Sequence, residues 1–578
     1  MWMAAARRTP DFSIPLPTFK DFSLMSRSVS ASQLRTLIAQ RSELAVLDVR
    51  EEGVSARKRL FYSSVAPVGR LGLLIDRLVP RRGTPIVLVD THGEYTPRAA
   101  ALLERWGYTD VAILEGGVEG WAQAGFEVFS GTNVPGKAFG EVIEHKLHTP
   151  NIDASTLKAR QDAGDDLVVL DSRPFGEFNT MSIPGGIDCA GAELVYRALA
   201  AVPSPDTLIV VNCAGRTRSI LGAQSLINAG VPNPVAALTG GSMSWLLEGF
   251  ELEHGKIRTA PRPEGEALAT ARELAAAAAR RARVPVIDRD TLAALERESG
   301  ERTLYRFDVR DPLEYEAGHP ADWQNAPGGQ LVQATDEYVG TLHARVVLRD
   351  DDGVRARMTA SWLKQLGYLD VRVLDDAGSA SLVAEHVEAG AQAVRVRPHG
   401  ARTRWIEADA LLREIEAGAV QTIDIDSSLA FRRAHVKGAR FVAASAVLAH
   451  LSDLPRDTPI VLTSEDGVLA GLVAAEIAQT RGGVSALIGG TRRWLALGLP
   501  QDAGDAGNLT GDDDAWYSPY HAKADQVAAQ MNAYLAWELQ LVEQVDRDAI
   551  ASIDVLDFET PTARRSRERL ADIAGRAE

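Results

Sequence analysis

A motif that recurs four times at a nearly constant interval leaves this chain few ways to fold. A short apolar run closed by an acidic turn appears as VLDVR (46–50), VLDSR (169–173), RFDVR (306–310) and TIDID (422–426). A second apolar run follows each of them: PIVLVD (85–90), LIVVNC (208–213), RVVLRD (345–350) and PIVLTS (459–464). The interval between the two is the same from Asp48 to Asp90, Asp171 to Cys213 and Asp308 to Asp350, and slightly shorter from Asp424 to Ser464. Short β-branched runs bounded by charged turns read as buried strands. Self-similarity at a fixed spacing reads as repeated domains.

Behind each second strand comes an amphipathic helix and then a third short strand, as in ILGAQSLINAGVPNPVAAL (220–238). Three copies close with a Gly-Gly turn and a tryptophan (Trp121, Trp245 and Trp494), which the third copy lacks. Strands alternating with helices imply parallel pairing with helices on both faces. The expected fold is therefore α/β: four tandem domains, each a small parallel sheet covered on both sides, with a C-terminal helical extension. Expected boundaries are an N-terminal arm over 1–24, domains over 25–135, 145–256, 284–395 and 402–503, a linker over 257–283 and a tail over 515–578. The Ala/Arg-rich linker reads as an exposed helix. In the tail, Tyr534, Trp537 and Leu541 fall on one helical stripe, expected to pack on copy four or copy three, with a homodimer contact as the alternative. The end, TARRSRERLADIAGRAE, reads as a solvated helix or a disordered segment.

Composition narrows the function classes. A net charge of −16 argues against a nucleic-acid or anionic-membrane partner. No apolar run approaches the length of a membrane span. Arg7 and Arg8 are followed by Asp11, Pro15 and Pro17, which makes a poor signal peptide and leaves Met25 as an alternative start. The only cysteines are Cys189 and Cys213, which excludes a disulfide framework and points to a reducing, cytoplasmic setting. Two thiols also make a cysteine-based metal cluster untenable, and no metal or organic cofactor is expected.

In open parallel sheets ligands bind beyond the carboxyl ends of the strands, where a loop feeds a helix. The four copies place Asp90, Cys213, Asp350 and Ser464 there, and only copy two offers a good nucleophile. Its loop reads Cys213-Ala214-Gly215-Arg216-Thr217-Arg218-Ser219, with a helix expected from about Ser219. Free N–H groups at a helix start favour an anion. The small Ala214 and Gly215 let amides turn inward as a nest. Arg216 and Arg218 add positive charge that would assist ionisation and attract an anionic substrate. Bringing a thiol from about 8.5 to below 7 takes only about 2 kcal/mol, so a readily ionised Cys213 is expected. In the other copies, Asp90 and Asp350 would put a carboxylate into the nest as a mimic of a bound anion.

The DSRPFGEFNTMSIPGG segment (171–186) and the CAGRTRS loop (213–219) resemble the rhodanese family of sulfurtransferases, with its "DxR…E(F/Y)…HIPGA" and "CxxGxR(S/T)" signatures. The resemblance covers about 25–503. It implies that Cys213 takes a sulfane sulfur and carries it as a persulfide. Ala214 to Ser219 would hold that sulfur, with Arg216 and Arg218 on the anionic donor or on the loop itself. Asp171, Arg173 and Glu177 match the signature's charged positions and are expected to form a salt-bridged scaffold. Ser182 stands where the family has histidine. The donor implied is an anion such as thiosulfate, and the acceptor a thiol, cyanide or a protein. Copies one, three and four would be inactive, and copy one would wall the site of copy two.

A cysteine phosphatase or arsenate reductase is the nearest chemical rival. It needs C-x5-R to enclose a tetrahedral oxyanion, whereas Cys213 and Arg218 make C-x4-R. A sulfur-relay or scaffold protein working with a partner is the other alternative. Cys189 reads as a packed thiol, with a resolving role as the minority reading. His145 and His148 read as an interdomain surface rather than metal ligands, having no third ligand nearby.

Overall fold

The computed structural model describes residues 27–575 except 368, 386, 394, 398–401, 453 and 456. The expected arm over 1–24 and Met25 lie outside the described residues. Each repeat builds a parallel sheet of the same order. In copy two it runs Asn151–Ile152, Val235–Leu238, Leu208–Asn212, Leu167–Asp171, Ile187–Asp188. The strand carrying the loop residue is thus flanked on both sides. Leu208–Asn212 is buried along its whole length, as an interior parallel strand with helices on both faces should be. In copy one, the short strand Thr341–Leu342 from copy three pairs antiparallel with Leu44 and Ala45, so the first and third repeats share a sheet.

The repeats do not pair in sequence order. Copy two packs on copy three: Arg355 reaches Glu193 (2.8 Å), Trp362 Nε1 donates to Ser225 Oγ (2.7 Å), and Gly191 lies against Gly329. Copy one packs on copy four: Arg98 makes a two-pronged pair with Glu476 (2.8 and 2.7 Å), and Glu51 accepts from the Ser445 N–H (3.0 Å). The expectation that copy one walls the site of copy two is corrected: copy three is the repeat packed against it.

The helix Gly265–Arg281 explains part of this pairing. Expected to be exposed, it instead buries Ala271, Ala275 and Ala278 between helix Glu193–Ala201 of copy two and helix Arg355–Leu366 of copy three. Those alanines lie one or two turns apart on one face. Their small side chains let three helices meet closely, so an alanine-rich run is here a buried seam.

The tail is corrected too. It touches every repeat: Asp514 accepts from the Ser428 N–H (2.8 Å), the Trp516 N–H donates to Glu52 (3.3 Å), and the Leu556 N–H donates to Gln365 Oε1 (3.0 Å). Helix Val527–Asp548 lies on helix Val134–Leu147, which joins copies one and two, and its Tyr534 reaches the Cys213 loop. The last helix, Pro561–Gly575, is neither free nor fully solvated. Thr562 donates to the Val231 carbonyl (2.6 Å), Ser566 Oγ accepts from the Val235 N–H (2.9 Å), and Ile573 is buried. No helix among the described residues is long and apolar enough to cross a membrane.

Candidate active site

Strand Leu208–Asn212 delivers Cys213 to the sheet's carboxyl edge, and helix Thr217–Ala229 starts four residues later, slightly earlier than expected. The loop is fixed from behind by the Gly-Gly turn. The Ser242 N–H donates to the Cys213 carbonyl (2.8 Å) and the Met243 N–H to that of Ala214 (3.0 Å). Gly240 and Gly241 both have positive φ, and a Cβ on Gly241 would sit 2.3 Å from the Cys213 oxygen. Only glycine tolerates both conditions. Copies one and four repeat the contact, the Val118 N–H meeting the Asp90 carbonyl and the Thr491 N–H that of Ser464 (2.9 Å each).

The other copies display the concavity in a filled state. Asp90 accepts from the N–H groups of Gly93 (2.6 Å), Tyr95 (2.9 Å) and Thr96 (3.1 Å). Asp350 accepts from those of Gly353 (3.0 Å) and Ala356 (2.9 Å). Ser464 Oγ accepts from the Ala470 N–H (3.2 Å). The strand-end side chain is thus met by main-chain donors three, five and six positions downstream in copy one, three and six in copy three, and six in copy four. In copy two those positions are Arg216, Arg218 and Ser219.

The signature charges are spent on the scaffold. Asp171 binds Arg173 through two contacts (2.9 and 2.7 Å) and accepts from Asn212 Nδ2 (2.8 Å), tying the two central strand ends together one residue before Cys213. Arg218 makes a two-pronged pair with Glu177 (2.7 and 2.8 Å). Arg216 turns to the connecting helix, where it binds Glu141 (2.9 and 2.8 Å) and Glu144. Both arginines thus hold the loop, and neither is free of carboxylates. Thr217 Oγ1 and Ser219 Oγ also bond within the site, to Glu538 (3.3 Å) and the Arg216 carbonyl (2.8 Å).

Cys213 is only 2% exposed. Burial pushes its thiol up from the ordinary value, opposed by the Arg218 charge and by hydrogen bonding from Ser219, with Glu538 adding a further upward push. The expected readily ionised thiol is corrected for this arrangement. The physical reason is burial, to which the tail adds the Glu538 charge. Tyr520 donates to the Ala214 carbonyl (3.3 Å), and the Tyr534 ring and Glu538 carboxylate stand over Gly215. Tyr534 and Trp537 showed in the sequence as an apolar stripe; Glu141, Lys137, Tyr520 and Glu538 carried no signal there.

Cys189 is 1% exposed in the apolar core, where burial pushes its thiol well up. His145 and His148 are exposed. No cluster of three or more His, Cys, Asp or Glu suited to a metal occurs among the described residues.

Fold and site together define a four-repeat α/β protein with one cysteine-bearing strand-to-helix loop. The chain belongs to the rhodanese-like domain family, which matches residues 30–124, 153–248, 291–379 and 407–497, more than half of its length. It is similar to the crystal structure of a thiosulfate sulfurtransferase from Pseudomonas aeruginosa, at 42% identity and a TM-score of 0.87 over 92% of this chain and 100% of that one. A thiosulfate sulfurtransferase from Gallus gallus is 30% identical over 131 residues, 21% of this chain and 39% of that relative's length.

Proposed function

We propose that this protein is a sulfurtransferase in which Cys213 carries sulfur from an anionic donor such as thiosulfate to a thiophilic acceptor. The observation that carries the reading is the filled loops of copies one and three. Main-chain N–H groups there hold a carboxylate at the strand end, and the loop of copy two carries a nucleophile in place of the aspartate. The Cys213 thiolate attacks the outer sulfur of thiosulfate. The new S–S bond forms as the donor's S–S bond breaks, and the electron pair leaves with sulfite. The persulfide anion, one atom beyond Sγ, accepts from the N–H groups of Arg216, Arg218 and Ser219. Amides preorganised toward developing charge stabilise it without reorganisation. An acceptor then attacks the outer sulfur (cyanide in an assay, a thiol or protein in the cell) and restores the thiolate.

Arg216 and Arg218 act as positioning residues, clamping the loop between Glu141 and Glu177. Both thiols are free, which suits a reducing, cytoplasmic setting. A relay reading, in which a partner protein supplies or removes the sulfur, draws on the near-complete burial of Cys213. Sulfite release from thiosulfate by the purified protein, abolished by Cys213→Ser, is the expected result. Release that survives Cys213→Ser refutes the reading, and release only with an added protein partner favours the relay.

A further inference from the structure

One buried cation beside the Cys213 loop is left without a counter-ion. Lys137, one helical turn before Glu141 on the connecting helix, is 4% exposed. Among the described residues no carboxylate lies within ion-pair distance of it, and its one hydrogen bond goes to Thr132 Oγ1 at 3.4 Å. The ammonium lies 5.1, 5.3 and 5.1 Å from the ring centroids of Trp516, Tyr534 and Trp537. Such rings offset part of the cost of burying a cation but leave its N–H donors unsatisfied. Burial draws the lysine down to about 8, with Glu538 opposing and Arg218 reinforcing that shift.

The side chains around Lys137 adjoin the catalytic loop. Gly140, on the same helix, meets Thr217, and a Cβ there would come within 2.8 Å of its methyl group. The Tyr534 ring that faces Lys137 also stands over Gly215, where a Cβ would lie 3.2 Å from it. Glu538 Oε1 accepts from Tyr534 (3.0 Å) and Thr217 (3.3 Å), while Oε2 is buried without a hydrogen-bond partner and lies 3.0 Å from the same Gly215 Cβ position. Burial pushes the Glu538 carboxyl up, against the pull of the Lys137 charge. The arginines of the loop are matched by Glu141, Glu144 and Glu177. An ammonium with one long hydrogen bond and a carboxylate with one unpartnered oxygen therefore lie together among aromatic rings beside the nucleophile loop.

We infer that Lys137 is the receptor for the anionic end of the sulfur donor, holding the group that leaves as sulfite while Glu538 limits how tightly that anion binds. The assignment rests on the sulfurtransferase reading for its chemistry, though anion binding itself can be measured without turnover. Thiosulfate, with charge on its sulfonate oxygens, is the class of donor that uses such a residue; an uncharged alkyl persulfide does not.

Two variants of opposite sign test this. Lys137→Gln should raise the KM for thiosulfate by about tenfold or more, the scale of a charge-assisted hydrogen bond, with transfer from an uncharged alkyl persulfide little changed and Lys137→Arg partly restored. Glu538→Gln should lower the same KM by a few-fold. Calorimetry with sulfite on Cys213→Ser protein should show binding that Lys137→Gln weakens and Glu538→Gln strengthens. A merely structural lysine would depress both donors equally and leave sulfite affinity intact, which overturns the inference, as does the absence of sulfite binding to Cys213→Ser. If Lys137→Gln does not fold, Lys137→Arg and Glu538→Gln decide, and an unchanged sulfite affinity in both is the refuting outcome. Sulfite binding that depends on Lys137 in a protein that never persulfidates Cys213 would refute the transfer reading and the donor role with it, and leave Lys137 an anion site alone.

Discussion

Replacing Gly241 by alanine tests whether the Gly-Gly turn sets the geometry of the nucleophile loop. The residue has φ +56, and the added methyl would lie 2.3 Å from the Cys213 oxygen and 2.8 Å from that of Gly215. Holding alanine in left-handed backbone costs about 1–2 kcal/mol. Relieving the overlap must also stretch the Ser242–Cys213 hydrogen bond, worth about 1 kcal/mol. The expected loss of stability is roughly 2–3 kcal/mol, taking both costs together. A loop moved by about 1 Å also loses on the order of 100-fold in rate. Gly117→Ala in copy one is the matched control, since its φ is +57 and its methyl would lie 2.2 Å from the Asp90 oxygen. Urea unfolding and sulfite release, measured on both variants, separate the two effects. Similar destabilisation with activity lost only in Gly241→Ala is expected; full activity in Gly241→Ala, or equal loss in the control, refutes the reasoning.

Other perturbations follow from the same contacts. Asp90→Ala strands three N–H groups and should lower stability by about 1–3 kcal/mol in urea unfolding, while persulfide formation at Cys213 stays unchanged. Because burial raises the Cys213 thiol against the pull of Arg218 and Ser219, the thiolate fraction and hence the single-turnover rate should still be climbing with pH above neutrality. Glu538→Gln, which removes an upward push on the thiol, should shift that rise toward lower pH; stopped-flow sulfite release across pH checks the direction. Ala275→Glu drives a charge into the seam between copies two and three, with an expected cost of several kcal/mol, readable as a lower unfolding midpoint. An unchanged midpoint would mean that the seam is not a packed interface.

The repeat was legible because short buried strands leave an apolar run and a turn in the sequence, and these survive in all four copies. The loop of copy two was legible because its small residues and arginines serve one local need. The interfaces were not. An alanine-rich run such as 271–279 looks alike whether it meets water or two other helices, and nothing in the sequence marks Arg355 and Glu193 as partners buried against each other. The stripe of Tyr534 and Trp537 announced an apolar face but not its partner, since amphipathicity records that a surface is covered and not what covers it. Lys137 and Glu538 lie far apart along the chain and come together only through tertiary packing. For the same reason the sequence leaves open whether the two arginines hold the donor or the loop itself: their carboxylate partners are set by packing.

The central claim is that one thiol in the chain accepts the sulfur atom. Intact-protein mass spectrometry after thiosulfate treatment, followed by peptide mapping under non-reducing conditions, reads this directly. The account predicts a gain of one sulfur atom on the peptide bearing Cys213, removed by cyanide. A gain on the Cys189 peptide instead, or no gain in folded protein at saturating thiosulfate, contradicts it.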